Sequence, residues 1–209
     1  ILARAYASHI IVVDFSSKDR TIEVAQQAGA IVLPASATSD NKIAGIVSGC
    51  KMAVDMGSRA IVLIDGEGKY LTREISRLVA PILDGKADLV IGSQHLAGRS
   101  EIPTYQLDIS GKSCLIPEHS EFSATDPHST FRAIHAGAVQ YLDYLSDFGN
   151  FEESMNVLFS KFGLVIQEMP IVLRADLPEI TEDNMPLYKG KKVAVVVPAY
   201  NEELLIGET

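Results

Sequence analysis

The stretch HIIVVD, residues 9–14, is a short apolar run that ends in an acid. A run of this length, with no alternation of apolar and polar positions, is typical of a strand that is buried on both faces. The same form returns in AIVLID, residues 60–65, and residues 42–57 between them have the apolar spacing of an amphipathic helix. Strands that alternate with helices predict βαβ units, and therefore an α/β fold with a mostly parallel sheet flanked by helices.

The rest of the chain extends this alternation, with one interruption. Ser16 with Asp19 is expected to form a capping box, Gly29 to end the first helix, and Thr72 to cap a later one. Periodicity is lost over residues 93–129, which indicates either a binding lid or acceptor loop, or a pair of short elements. The predicted strands are residues 9–14, 30–33, 60–64, 88–91, 164–169 and 193–197, and the predicted helices follow Ser16 and span residues 42–57, 72–83, 134–145 and 152–162.

The composition favours one buried core and argues against several classes of partner. The chain has 209 residues, 47% of them hydrophobic and 22% charged, which is enough for a single good core. A formal net charge of −9 argues against a nucleic-acid partner. Cys50 and Cys114 lack metal-ligand spacing, which favours reduced thiols in a cytoplasmic protein. No apolar stretch approaches the roughly 20 residues that span a bilayer.

Two common nucleotide-binding motifs do not occur in the sequence. It contains neither a GxxxxGK[ST] loop nor a GxGxxG turn. This weighs against P-loop nucleotide hydrolysis and against dinucleotide binding of the common type. A nucleotide would have to be bound in another way.

Polar segments follow three of the predicted strands, at the end where parallel sheets bind ligands. They begin at Asp14, at Asp65-Gly66-Glu67 and at Pro198. Asp65 and Glu67 flank a glycine in a turn, and both can direct carboxylates at a hard divalent cation, which prefers oxygen ligands and also bridges phosphate oxygens. An Asp-Gly pair taken alone is equally explained as a simple turn. The two other polar segments at the same edge favour a metal site.

Seven segments together resemble glycosyltransferase family 2, the GT-A fold transferases that include dolichyl-phosphate mannose synthases. The resemblance covers nearly the whole chain, and the segments keep the family's spacing. In chain order they are HIIVVDFSSKDRT (VVDDGSxDxT in the family), NKIAGIVSG (GKGAALxxG), IVLIDGEGKY (the metal motif of DxDGQH type), ADLVIGS (ADxVxGSR), DPHSTFRA (DxxSGFRA), FGLVIQEMPI (AGxxIxEVPI) and VAVVVPAYNEE, the first strand and nucleotide loop.

The resemblance implies a donor, a cofactor and an acceptor. The donor would be a GDP- or UDP-hexose held with Mg²⁺ or Mn²⁺, and the acceptor, such as a polyprenyl phosphate at the cytoplasmic face of a membrane, would attack the anomeric carbon with inversion. Asp65 and Glu67 would bind the metal, Asp126 would be the acceptor-side base, and Arg132 would meet an acceptor phosphate or support its loop. The nucleotide would be bound by Asp14, Lys42, Pro198, Tyr200 and Glu202.

The motifs also depart from the family pattern at chemically important positions. Phe15 replaces the second acid of VVDDGS, Glu67 the second acid of the metal motif, and Thr130 the glycine of SGFRA. Lys69 and Tyr70 stand where the family has Gln and His. Lys69 could neutralise a phosphate, or pair with Glu67 in place of an ion. These departures leave an alternative open, namely a catalytically decayed domain with a binding or structural role.

The order of the segments is unusual, because the family's first strand comes last in this chain. We expect residues 1–175 to form a GT-A-like domain without its first strand, and residues 176–190, which are rich in acids and prolines, to be a linker. Residues 191–209 would then be the first strand and helix start of a GT-A domain. They belong either to a tandem partner domain or to a permuted chain whose end completes the sheet.

Overall fold

The computed structural model describes residues 2–34, 42–96, 104–105, 124–145, 150–173, 192–200, 202 and 206. The predicted linker, residues 176–190, lies outside the described residues, as does Cys114. The described part has the predicted α/β architecture, a largely parallel sheet flanked by helices. None of the described helices is long and apolar enough to cross a membrane.

The eight described strands form one sheet in the order β2-β1-β8-β3-β6-β4-β7-β5. Strand β6 is antiparallel to both of its neighbours and β5 is antiparallel to β7, whereas the remaining pairs are parallel. The strands are β1 His9–Asp14, β2 Ile31–Pro34, β3 Ala60–Leu63, β4 Leu89–Ser93, β5 Thr104–Tyr105, β6 Arg132–His135, β7 Ile166–Pro170 and β8 Val193–Ala199. The helices are α1 Thr21–Gln27, α2 Lys42–Asp55, α3 Ile75–Leu83 and α4 Phe151–Lys161, with 3₁₀ helices at Leu2–Ala5, Thr72–Glu74, Gln94–Leu96 and Ala136–Tyr144.

Strand β8, the last in the chain, lies between β1 and β3. It runs parallel to both, with Val197 opposite Val12 and Val195 opposite Val62. Its side chains alternate between two hydrophobic clusters: Val195 packs with α1 and α3 on one face, and Val196 packs with α2 and α4 on the other. Both are fully buried, and burying one such side chain stabilises the fold by about 1.5–3 kcal/mol. The strand therefore joins the sheet and contributes to both cores.

One of the predicted helices is wrong. The predicted helix around residues 134–145 begins as strand β6 and continues as the 3₁₀ helix Ala136–Tyr144. Ile134, Ala138 and Leu142 are all buried at intervals of four residues, so the apolar spacing alone did not distinguish a strand followed by a helix from one continuous helix. The place of Ile134 is decided by pairing to both β3 and β4.

The predicted helix caps at Ser16 and Thr72 are also wrong. Ser16 has a left-handed backbone, with φ of 64°, and helix α1 begins only at Thr21. The Asp19 carboxylate instead accepts hydrogen bonds from the Thr21 amide and hydroxyl, at 3.1 and 2.5 Å. Thr72 starts a 3₁₀ turn that precedes α3. Gly29, with φ of 82°, does follow the end of α1 as predicted.

Helix α2 packs so closely on the sheet that Gly49 leaves no room for a side chain. A Cβ there would lie 2.8 Å from Val13 Cγ2 and 2.9 Å from Val196 Cγ1, both on buried side chains. Gly49→Ala gains about 0.5–1 kcal/mol of helix propensity, but overpacking costs about 1–3 kcal/mol. We expect a net loss of about 1–2 kcal/mol in the free energy of unfolding, measured by urea denaturation.

The matched control for this prediction is Ser48→Ala, one position earlier on the exposed face of α2. The Ser48 hydroxyl donates to the Ala44 carbonyl of its own helix, at 2.8 Å. Its replacement should change the free energy of unfolding by less than about 0.5 kcal/mol. If Gly49→Ala is as stable as the parent chain, the close packing of α2 on β1 and β8 is wrong.

Candidate active site

A cleft of about 440 Å³ opens at the carboxyl ends of β1, β3 and β8. This is the edge at which parallel sheets bind ligands, and the volume is within the usual range for small-molecule sites. Segments that are far apart in the chain converge on it because their strands are neighbours in the sheet. The lining residues are Phe15, Lys42, Ile46, Leu63, Ile64, Asp65, Gly66, Glu67, Thr130, Arg132, Phe151, Glu152, Pro198, Ala199, Tyr200 and Glu202.

Seven of the nine predicted site residues line this cleft. Those that line it are Lys42, Asp65, Glu67, Arg132, Pro198, Tyr200 and Glu202. Asp14 and Asp126 are buried and are not among the lining residues. Asp14 Oδ2 accepts the Ser17 amide at 3.2 Å, and Asp126 Oδ2 accepts the Gln94 amide at 3.3 Å. Both carboxylates thus organise the backbone of the loops beside the cleft.

A network of polar contacts is built around Asp65, which lines the cleft with Glu67 and Thr130, whereas Lys69 and Tyr70 are not among the lining residues. The Lys69 ammonium lies 2.6 Å from Asp65 Oδ2 and 3.7 Å from Glu67 Oε2. Thr130 donates its hydroxyl to the same Asp65 oxygen at 2.7 Å, and the Tyr70 hydroxyl lies 3.2 Å from Thr130 Oγ1. The ammonium is also 4.9 Å from the centre of the Tyr70 ring, within cation–π distance. Lys69 is therefore held on one side by a carboxylate and on another by an aromatic ring.

The charges in this network shift two pKa values. Partial burial lowers the pKa of the Lys69 ammonium, but the hydrogen bond to Asp65 and the charges of Asp65, Tyr70 and Glu67 raise it well above its usual range. Partial burial raises the pKa of the Glu202 carboxyl, and the nearby negative charges of Glu67, Asp65 and Asp19 raise it further. A fixed positive charge thus lies beside the cleft, among carboxylates that repel one another.

The predicted metal ligands do not fit a divalent ion while Lys69 has these contacts. The ammonium lies beside both carboxylates, and one Asp65 oxygen already accepts hydrogen bonds from Lys69 and Thr130. Within the described ranges, no group of three or more His, Cys, Asp or Glu side chains converges on a common point. An ion shared by Asp65 and Glu67 would have to displace the ammonium. The other Asp65 oxygen, Oδ1, is buried and has no hydrogen-bond partner among the described residues.

Arg132 is fully buried and its guanidinium binds loop backbone. Nε donates to the Ser129 carbonyl at 2.5 Å and Nη2 to the Pro127 carbonyl at 2.6 Å. Nη1 donates to the Glu152 carbonyl at 3.3 Å and to Asn156 Oδ1. Burial lowers the pKa of the guanidinium to about 10, although the charges of Glu152 and Asp126 oppose this shift. Of the two roles considered for Arg132, these contacts are those of loop support.

Several residues that organise the site were not singled out from the sequence. Glu168 is fully buried in β7 and accepts hydrogen bonds from the Thr125 amide and hydroxyl and from the Asp126 amide, at 2.8–3.2 Å. The sequence did contain a signal for Glu168, because it is a single acidic residue within a strand that was predicted to be buried. The Thr21 hydroxyl, which accepts the Glu202 amide at 2.7 Å, gave no signal, because its partner is 181 positions away.

Comparisons with known proteins agree with this geometry. The model of the family described as "Glycosyl transferase family 2" matches residues 1–142. An uncharacterized protein of Methanocaldococcus jannaschii, MJ1222, is 26% identical over 170 residues, which is 78% of this chain and 69% of that protein. The matched family region includes β1, β3 and the Asp65 network, whereas β8 lies outside it.

We expect Arg132→Met to destabilise the fold by about 3 kcal/mol or more, because the buried and partly buried carbonyl groups of Pro127, Ser129 and Glu152 lose this donor. Arg132→Lys should recover little of this loss, since one ammonium cannot reproduce the planar guanidinium. Arg73→Met is the control: Arg73 is partly exposed and pairs with Glu74 only at 4.0 Å, so its loss should cost less than about 1 kcal/mol. Equal urea midpoints for the Arg132 and Arg73 variants would contradict this role.

The raised pKa of Glu202 predicts a pH-dependent gain in stability for Glu202→Gln. The folded state binds this proton more tightly than the unfolded chain, so the carboxyl stabilises the fold while protonated and loses this contribution as the pH rises through its folded pKa. The variant should melt at a higher temperature than the parent at pH 7. The difference should close below about pH 4, under the ordinary pKa of Glu of about 4.3.

Glu23→Gln is the control of opposite sign. The hydrogen bond and charge of Arg20 lower the pKa of Glu23, so its contribution is present at neutral pH and is lost as the pH falls. This variant should melt below the parent at pH 7 and approach it in acid. Identical pH profiles for the two variants would show that Glu202 does not experience the charges of Asp65 and Glu67.

Proposed function

The chain belongs to glycosyl transferase family 2, and from this premise we propose that it transfers a hexose from a nucleotide-diphospho-sugar to an acceptor, with inversion at the anomeric carbon. The observation that carries the proposal is the convergence of Phe15, Lys42, Asp65 and Tyr200 on one cleft. Aromatic rings, a lysine and a carboxylate match the three parts of such a donor, which are a base, a diphosphate and a sugar rich in hydroxyl groups.

The nucleoside is assigned to the side of the cleft formed by the end of β8. Tyr200 is 53% exposed at the rim, and its ring and that of Phe15 offer surfaces for a purine or pyrimidine. The Glu202 carboxylate can accept ribose hydroxyl groups. Its position is set by the bond from its amide to Thr21, which fixes the loop after β8 against the start of α1. GDP and UDP are both compatible with this arrangement.

The diphosphate and the hexose are assigned to the centre of the cleft. Lys42 is exposed at the start of α2 and supplies a positive charge there. Asp65 also lines this part of the cleft, where its carboxylate can accept a hydroxyl group of the donor. The bond from the anomeric carbon to the diphosphate breaks, and its electron pair leaves with the diphosphate. The acceptor oxygen forms the new bond on the opposite face of the sugar, which inverts the configuration.

A phosphate acceptor suits the placement of Asp126 better than an alcohol. An alcohol must lose a proton to a base within hydrogen-bond reach, whereas a phosphate monoester is already ionised at neutral pH. Asp126 is buried and accepts the Gln94 amide, so its carboxylate holds the loop that faces the acceptor. We therefore favour a polyprenyl phosphate at the cytoplasmic face of a membrane, as in the dolichyl-phosphate mannose synthase-like subtype. The proposal also includes a tandem domain as a partner of this one.

The divalent cation stays a prediction of the resemblance. With Lys69 beside both Asp65 and Glu67, no step of the transfer is assigned to Mg²⁺ or Mn²⁺. The same contacts favour the second candidate function, a catalytically decayed domain. In such a domain the ion pair between Lys69 and Asp65 blocks the binding of a metal ion. That alternative predicts little or no donor binding with or without metal, so it can be tested directly.

Donor binding separates the two functions. A nucleotide sugar present at about 100 times its dissociation constant should add about 2.7 kcal/mol to the free energy of unfolding. The measurement is a thermal-shift panel of GDP- and UDP-hexoses, each with EDTA and with Mn²⁺. A stabilising shift with one donor and none with free hexose supports the transferase. No shift with any donor under either condition supports the decayed domain.

For the active protein, we expect Asp65→Asn to lower the rate of hexose transfer to a short polyprenyl phosphate by about 100-fold. The replaced carboxylate positions both Lys69 and the donor, and losing one electrostatic contact of this kind costs about 10²–10³ in rate. The matched control is Asp55→Asn, at the exposed end of α2, which should transfer at the parental rate. Transfer at the parental rate by Asp65→Asn would remove Asp65 from the site.

A further inference from the structure

Lys69 occupies the position at which the sequence predicts a divalent cation. Its ammonium is 2.6 Å from Asp65 Oδ2 and 3.7 Å from Glu67 Oε2, the two carboxylates predicted to bind the ion. Gly68, with φ of 69°, turns the chain so that residue 69 folds back over residue 65. A glycine accepts this conformation without strain. The turn that would present two acids to a metal thus delivers a positive charge of its own.

We propose that the Lys69 ammonium takes the place of the divalent cation in this chain and binds the donor diphosphate, so that nucleotide-sugar binding is independent of metal. The inference rests on the proposed function, because it names the positive charge that binds the diphosphate of the proposed donor. The Lys69 ammonium contacts the phosphates of the ligand directly. Its charge also excludes Mg²⁺ and Mn²⁺ from Asp65 and Glu67.

The ammonium is fixed in place but remains accessible. Asp65 Oδ2 accepts one of its three N–H groups, and Thr130 donates its hydroxyl to the same oxygen at 2.7 Å. Tyr70 lies beneath it: the ring is 4.9 Å from the ammonium and is itself buried against Phe131, with ring centres 5.0 Å apart. The Lys69 side chain nevertheless keeps 41% exposure. The position is therefore preorganised and open to solvent, and it adjoins Asp65 and Glu67, which line the cleft.

The ammonium also retains hydrogen-bonding capacity for a ligand. Its distance of 3.7 Å to Glu67 is too long for a hydrogen bond, so of these two carboxylates only Asp65 accepts one of its protons. Hydrogen bonds between an ammonium and phosphate oxygens are among the stronger polar contacts in proteins. Glu67 is 63% exposed, so its side chain can turn into solvent, where its charge is screened, when a diphosphate arrives. Lys42 lines the cleft and adds a positive charge there.

The first experiment measures metal binding without any nucleotide. Mn²⁺ is titrated into the parent chain and into Lys69→Gln, and free Mn²⁺ is followed by electron paramagnetic resonance. Removing the ammonium leaves two carboxylates that attract the ion. Lys69→Gln should therefore bind Mn²⁺ at least about tenfold more tightly than the parent, because one positive charge no longer repels the ion. Lys51→Gln, which removes a surface ion pair with Asp143, should behave as the parent. Equal Mn²⁺ affinity for the parent and Lys69→Gln overturns the exclusion.

The second experiment measures donor binding by calorimetry, with UDP-glucose and GDP-mannose as probes, in EDTA and in Mn²⁺. The parent should bind one of them equally well under both conditions. Lys69→Gln should bind it about 10- to 100-fold more weakly in EDTA, and Mn²⁺ should restore part of the affinity. Lys69→Arg, which keeps the charge, should retain metal-free binding. Donor binding by the parent that requires Mn²⁺ overturns the proposal while leaving the transferase function intact.

The two experiments distinguish failure of the inference from failure of the proposed function. If the parent binds neither probe under either condition and the thermal-shift panel is also negative, the transferase function fails. The Mn²⁺ titration then still decides whether Lys69 keeps the ion away. A thermal melt of each variant accompanies both measurements, and Lys69→Gln should remain folded because the ion pair it loses is partly exposed to solvent.

Discussion

The structure depends on the pairing of β8 between β1 and β3. This strand has hydrogen-bonded neighbours on both edges and buried side chains on both faces, so the sheet on either side of it is continuous only when it is in place. A buried sheet with that position empty would leave two rows of backbone groups unpaired in an apolar core, which is strongly unfavourable. The strand also ends in Pro198 and Ala199, so the segment that completes the core provides one wall of the cleft.

The ends of three parallel strands determine the geometry of the cleft. Because β1, β8 and β3 are adjacent, Phe15, Tyr200 and Asp65 meet although they are distant in the sequence. A second set of contacts holds the loop of residues 124–131: Glu168 binds its first residues and Arg132 its last. Both of these charged groups are fully buried, and their bonds are mostly to backbone. Rigid strands thus form the cleft, and buried charges hold the loop beside it.

The sequence predicted the parts of the fold that depend on continuous apolar runs. The α/β class, the buried strands and helices α2, α3 and α4 follow from composition and period, because the same side chains that form the strands also bury them. Strand β6 could not be predicted in this way, since Ile134 satisfies a helical spacing and only its pairing partners decide otherwise. At the site, Asp65, Glu202 and Tyr200 were predictable from their positions after strands. The burial of Asp14 and Asp126 was not, because it depends on how two loops turn toward the amides of Ser17 and Gln94.

The departures from the motifs that the resemblance implies form one connected group around Asp65. Lys69, Tyr70 and Thr130 each differ from the family pattern, and all three are in contact around Asp65. Thr130 has the hydroxyl that binds Asp65, which the family's glycine could not supply, and Tyr70 supplies the ring beneath the ammonium. Substitutions that accumulate without constraint have no reason to satisfy one another's hydrogen bonds and charges. A network in which each of these side chains has a partner among the others is the arrangement expected from the proposed exchange of a divalent cation for the Lys69 ammonium.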